Sequence, residues 1–123
     1  IGKVEKAYQL FLHATRLDLD DYNNEADQGL HITSMPGSWL AIVRGFAGMQ
    51  VEMCIRDSSP VIPQKWDSYS FKVNYLKNTL HIRVGKEIEI SLTAGSKVDI
   101  QVYGHPYTLE RGTELKINMP MCQ

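Results

Sequence analysis

His31, Thr33 and Ser34 stand in one run, Gly-Leu-His-Ile-Thr-Ser at residues 29–34, directly before an apolar stretch. An imidazole and two hydroxyls are anion-binding groups, because each can donate a hydrogen bond without bringing negative charge. If the following stretch is a helix, its first turn adds unpaired N–H groups and the positive end of the dipole. This set suits the holding of an anion. Each residue also has a plainer role. His31 alone reads as a hydrogen-bonded structural histidine, and Ser34 as an N-cap, which is compatible with an anion contact. Upstream lie Asp18, Asp20, Asp21, Asn23, Asn24, Glu25 and Asp27. The carboxylates of Asp20, Asp21 and Glu25 are types that hold metals or move protons, but they read as a solvated, loop-ordering set. Asn23 and Asn24 read as makers of local turn bonds, with a sugar contact as the sharper alternative.

Two helices must carry this loop. In residues 3–17, Val4, Ala7, Tyr8, Phe11, Ala14 and Leu17 recur at spacings of three and four, one apolar stripe of an amphipathic helix. Residues 18–34 lack either periodicity and are long for a structureless connection, and such loops are usually functional or disordered. The apolar Leu19, Tyr22, Leu30 and Ile32 argue for order. Beyond Ser34, the residues Trp39, Leu40, Ile42, Val43 and Phe46 are apolar almost all round, with Arg44 the charged exception. That pattern predicts a helix buried in a larger body, with Trp39 in the core and Gly45 and Gly48 ending it. Ile1 is not Met, and helical spacing begins at once. The chain therefore reads as a fragment whose N-terminal neighbours precede it.

From Val51 the pattern changes to a separate β unit. Ser59-Pro60-Val61-Ile62-Pro63 is a turn-rich connector. Alternating runs follow at 69–75, 79–84, 87–92, 98–103, 107–110 and 114–119, punctuated at 77–78, 85–86, 94–96, 104–106 and 111–113. Short strands at such spacing predict an antiparallel sandwich. Phe71, Val73 and Tyr75 share one face, as do Leu80, Ile82 and Val84, then Ile88, Ile90 and Leu92, then Val98, Ile100 and Val102.

Across its 123 residues the chain carries 13 basic and 14 acidic side chains, for a net charge of −1. Without a polybasic run, it has no electrostatic footprint for nucleic acid or an anionic membrane. No apolar run approaches the ~18–20 residues that span a bilayer. Cys54 and Cys122 lack metal-ligand spacing and read as free thiols of an intracellular protein. His13, His81 and His105 have no partners at ligand spacing and read as surface residues.

Together, Leu17-Asp18-Leu19-Asp20-Asp21-Tyr22-Asn23-Asn24-Glu25, Gly29-Leu30-His31-Ile32-Thr33-Ser34-Met35, Gly37-Ser38-Trp39-Leu40-Ala41-Ile42-Val43 and Gly45-Phe46-Ala47-Gly48-Met49 resemble the C-terminal region of glycoside hydrolase family 65, mostly inverting disaccharide phosphorylases. Pro60-Val61-Ile62-Pro63, Trp66 and Tyr69-Ser70-Phe71-Lys72-Val73-Asn74-Tyr75 resemble it as well. Within the family the pattern looks most like the maltose-acting members, with trehalose, kojibiose and nigerose phosphorylases close by.

The resemblance implies an α+β chain: the last helices and active-site loop of an (α/α)6 barrel at residues 1–50, then a small antiparallel β-sandwich at 51–123. It implies attack of inorganic phosphate on an α-glucoside, giving β-glucose 1-phosphate and glucose. It places His31 in the phosphate pocket with Thr33 and Ser34 beside it, and the general-acid Glu upstream of this sequence, so that this piece alone is inactive. No metal and no cofactor are implied. The partners implied are the disaccharide, phosphate and the upstream barrel, with neither nucleic acid nor membrane. A homodimer, common in the family, and a cytoplasmic location complete the expectation. Elementary electrostatics agrees. An inverting hydrolase needs a carboxylate to activate water, but a carboxylate repels phosphate, which imidazole and hydroxyls attract. The competing readings are a family member that hydrolyses its glucoside and a non-catalytic carbohydrate-binding sandwich.

One segment departs from the family. Met53-Cys54-Ile55-Arg56-Asp57-Ser58 resembles the translation of a sequencing-library adaptor. That reading makes it an assembly artefact, costs the sandwich one edge strand and leaves Cys54 without a biological role.

Overall fold

The computed structural model describes residues 2–21, 24, 27, 29–52, 54–58 and 60–119, with the side chains of 50–52 and 54–58 left aside. Helix α1 spans Gly2–Thr15. It buries Tyr8 and half-buries Val4 and Phe11, while Ala7 and Ala14 of the same stripe stay exposed. It ends where the Thr15 hydroxyl donates back to the Phe11 and Leu12 carbonyls at 3.0 and 3.1 Å, a side-chain bond that competes with the helical ladder. A single further turn, α2, spans Leu17–Asp20 and closes with Asp21 in the left-handed region at φ 45°. The acidic stretch therefore begins as helix, not as loop. Helical bonds outlast the apolar stripe here because Arg16 grips Asp20 through two nitrogens, at 2.7 and 2.6 Å.

Helix α3 spans Ser34–Leu40 and runs on as a π-helix over Ala41–Phe46. The wider turn is seen in the Ala47 N–H, which reaches back five residues to the Ile42 carbonyl at 2.9 Å. Gly45 does not end the helix. Gly48 does, at φ +60°, and the Met49 N–H closes on the Val43 carbonyl at 3.0 Å.

Within this chain the helix is covered on one side. Val43 and Phe46 are buried, but Trp39 is 46% exposed and Leu40 44% exposed. Only one side of the helix meets α1 and the sandwich. Met35, Ile32, Leu30, Leu19 and Leu10 extend the exposed apolar surface.

The β part has two four-stranded sheets. One runs β1-β2-β6-β7, from strands Gln50–Glu52, Cys54–Ser58, Lys97–Val102 and His105–Glu110. The other runs β3-β4-β5-β8, from Tyr69–Tyr75, Asn78–Val84, Glu87–Ala94 and Glu114–Asn118. All pairs are antiparallel except β2 with β6, which is parallel. The segment that departs from the family is thus not a missing edge strand: β2 lies between β1 and β6. Met53 lies outside the described residues, as does Cys122. Pro106 sits inside β7, not in a turn, which an edge strand tolerates because one side needs no ladder donor.

The core lies between the sheets. Phe71, Val73, Leu80, Val84, Ile88, Ile90 and Leu92 face Val98, Ile100, Val102 and Leu109. Val43, Ala47 and Met49 belong to the same cluster, so the end of the helix forms one wall of the sandwich core. An aromatic set joins the parts. The Trp66 ring meets Tyr8, Phe11, Phe46 and Tyr69 edge-on, with centroids 5.2–5.7 Å apart. The Tyr69 hydroxyl donates to the Val61 carbonyl at 3.2 Å, and burial pushes its pKa well above the usual phenol value, so it keeps its proton and remains a donor.

Candidate anion site

The loop after α2 returns to it through one side chain, Asp18. Its Oδ1 and Oδ2 each accept from the His31 backbone N–H at 3.1 Å, and Oδ1 lies 2.5 Å from His31 Nδ1. Asp18 rides on α2 and His31 precedes α3, so the pair closes the loop across 13 positions. The Asp18 side chain is 17% exposed and that of His31 37%. The hydrogen bond from the His31 ring, then that from its backbone N–H, holds the Asp18 carboxyl below the usual carboxylate range. Because the folded-state value is depressed, this stabilisation is present at neutral pH and is lost on acidification. The expected result is that the His31 amide resonance, followed by pH titration, leaves its native position only below about pH 4. A midpoint at or above that value would show that the carboxylate is not held.

Ser34 does not act as the N-cap. The first helical residue is Ser34 itself, Thr33 precedes it with helical φ and ψ, and no side chain caps the turn. The Ser34 hydroxyl instead donates to the His31 carbonyl at 2.7 Å. The helix start is also less rich in donors than the sequence suggests. The N–H groups of Ser34 and Met35 already bond to the carbonyls of His31 and Ile32, at 2.9 and 3.3 Å, and Pro36 has none. Of the three residues expected to hold an anion, the His31 ring and the exposed Thr33 hydroxyl are therefore the stronger donors, and the Ser34 proton is committed to the backbone. The dipole of the helix favours negative charge at the same end.

Sequence reasoning named Asp20, Asp21 and Glu25 and passed over Asp18. Asp20 pairs with Arg16. Asn24 forms the expected turn, its N–H donating to the Asp21 carbonyl at 3.1 Å. Tyr22, Asn23 and Glu25 lie outside the described residues. The only mark distinguishing Asp18 is its place at the end of the apolar stripe, on the side of the helix that turns inward. His13 and His105 are exposed and His81 is half-buried on β4. Among the described residues, no group of three or more His, Cys, Asp or Glu could hold a metal ion, and no helix is long and apolar enough to cross a membrane.

Comparison with known proteins bears on the same loop and on the sandwich. Residues 1–40 match "Glycosyl hydrolase family 65 central catalytic domain" and residues 59–109 match "Glycosyl hydrolase family 65, C-terminal domain". Over 107 residues the chain is 43% identical to a maltose phosphorylase of Bacillus subtilis (strain 168), covering 86% of this chain and 14% of that protein. It is 37% identical over 118 residues to an alpha,alpha-trehalose phosphorylase of Geobacillus stearothermophilus, covering 95% and 15%. It is 31% identical over 113 residues to a kojibiose phosphorylase of Thermoanaerobacter brockii, covering 89% and 15%. A solved structure, named as that of a candidate kojibiose phosphorylase from the human microbiome, superposes with a TM-score of 0.83 at 36% identity, covering 96% of this chain and 16% of that one. The chain thus spans about one-seventh of the length of these relatives.

Proposed function

Since the chain belongs to glycosyl hydrolase family 65, we propose that it is the C-terminal part of an inverting, maltose-type α-glucoside phosphorylase. Phosphate attacks the anomeric carbon, and the products are β-glucose 1-phosphate and glucose. Residues 1–50 complete the catalytic (α/α)6 barrel with its active-site loop, and residues 51–123 form the C-terminal sandwich. The family's phosphorylases take phosphate as a substrate and need no cofactor. His31, Thr33 and Ser34 contribute to the phosphate pocket, and the general-acid Glu belongs to the rest of the barrel. The enzyme is cytoplasmic, and this chain alone does not turn over substrate.

The observation that carries this reading is the clamped imidazole of His31, at the start of a helix and next but one to the exposed Thr33 hydroxyl. The same geometry argues against a hydrolase. Among the described residues, the carboxylate beside His31 is that of Asp18; both its oxygens are engaged by His31, and its basicity is lowered, not raised. A base that activates water works best with a pKa near the operating pH. A maltose substrate is favoured by the higher identity to the maltose phosphorylase than to the trehalose and kojibiose enzymes.

The test is His31→Ala in the full-length enzyme, incubated with maltose with and without phosphate. Product formation is expected to require phosphate. The KM for phosphate is expected to rise by about 10- to 100-fold, the worth of a hydrogen bond to a charged group, with little change in the KM for maltose. An unchanged phosphate KM would make His31 structural. Glucose released without phosphate would make the enzyme a hydrolase.

A further inference from the structure

We propose that Asp18 is a positioning residue for phosphorolysis, which clamps the main chain and the ring of His31 so that the imidazole meets phosphate through Nε2 in one orientation. The inference rests on the phosphate-pocket reading of His31.

A histidine in a loop has two free side-chain torsions and two tautomers, and an anion site needs one state of each. Asp18 supplies both constraints. Its carboxylate accepts from the backbone N–H of His31, which fixes where the residue sits, and contacts Nδ1 at 2.5 Å, which fixes how the ring is turned. With Nδ1–H facing the carboxylate, Nε2 lies on the opposite edge of the ring, away from it. The negative charge of Asp18 also favours a proton on both ring nitrogens, and then Nε2–H can donate to a phosphate oxygen. The carboxylate is itself held. It sits on α2, whose turn is tied by the Arg16–Asp20 pair and by the Leu19 and Asp20 N–H groups donating to the Arg16 carbonyl at 2.9 and 2.8 Å. Helix α2 follows α1, which is anchored on Trp66. The aim of the imidazole is thus referred to the helical scaffold. The Ser34 hydroxyl, on the His31 carbonyl at 2.7 Å, steadies the same residue from its other side.

A carboxylate in this position does not touch phosphate, so its effect must pass through His31, and that separates it from a loop staple. The experiment compares Asp18→Asn, Asp18→Glu, His31→Ala and the double variant D18N/H31A in the full-length enzyme. Initial rates are measured against phosphate and against maltose over a range of pH. Asp18→Asn can still accept from the backbone N–H but lacks the charge. Its KM for phosphate is expected to rise about 10-fold or more, as for other groups that orient a ligating histidine, with the KM for maltose unchanged. The pH limb that reports His31 is expected to move toward lower pH. Asp18→Glu, which restores the charge, is expected to recover part of the loss. On the His31→Ala background, Asp18→Asn is expected to add nothing.

The proposal is overturned if Asp18→Asn leaves the phosphate KM and the pH profile unchanged while His31→Ala raises that KM; the phosphate reading then survives. It is also overturned if the two substitutions add independently, or if both Asp18→Asn and Asp18→Glu lose the native circular dichroism spectrum, since Asp18 then only scaffolds the loop. If His31→Ala leaves the phosphate KM unchanged, the phosphate reading itself falls and takes the inference with it.

Discussion

Trp66→Ala is expected to loosen the helices from the sandwich while leaving the sandwich folded. Trp66 meets four other rings, Tyr8 and Phe11 on α1, Phe46 at the end of the π-helix and Tyr69 at the start of β3. Truncating a large buried or half-buried aromatic costs about 3–5 kcal/mol through lost burial and the void left behind, and each edge-on pair contributes about 0.5–1.5 kcal/mol beyond area. The sandwich does not depend on this ring, because its core is drawn from β3–β7 with the end of the helix as a wall. Amide hydrogen exchange separates the two regions. Protection is expected to fall in α1, α2 and α3 and to persist in β4 and β5. An equal loss everywhere would show that the chain opens as a single unit.

Leu80→Ala is expected to strike the sandwich core itself and, through it, the helices. Leu80 is fully buried on β4, opposite Val73 and Leu92 in the ladder. It also lines an apolar void of about 30 Å³ between the sheets, shared with Ala47, Phe71, Ile100 and Val102. Deleting three carbons there enlarges a void that both sheets already fail to close, so the cost lies toward the upper part of the 2–5 kcal/mol range for such changes, about 3–5 kcal/mol. Urea unfolding followed by circular dichroism measures it. A loss below about 1 kcal/mol would mean that the sheets collapse onto the smaller side chain. Because Ala47 and Met49 share this core, the aromatic contacts of the helices are expected to weaken with it, whereas Trp66→Ala leaves Leu80 packed.

Much of the β part is legible in the chain itself. The alternation of Phe71 with Val73, of Leu80 with Val84 and of Ile88, Ile90 and Leu92 needs no partner to be read, because a strand's period of two follows from the backbone alone. The expected run 69–75 coincides with Tyr69–Tyr75, and the boundaries of the other five expected runs shift by at most two residues. The amphipathic stripe of α1 and the helix after Ser34 follow from the 3.6 period in the same way. So does the anion-binding character of His31, Thr33 and Ser34, which belongs to their functional groups.

Other features exist only once the chain is folded. Alternation does not say which strand pairs with which, so the parallel pairing of β2 with β6 and the division into two sheets come from the tertiary structure. Periodicity does not distinguish a π-turn from an α-turn, because both expose nearly the same faces over six residues, and so Gly45 reads as a stop in the sequence although the helix continues through it. Asp18 is the sharpest case. In the sequence it is one acid among several, 13 positions from His31. Only the return of the loop onto α2 brings its carboxylate to the imidazole. The chain determines which groups can meet an anion, since that is local chemistry; the fold decides which of them are aimed, since aiming requires a second residue held at a fixed place.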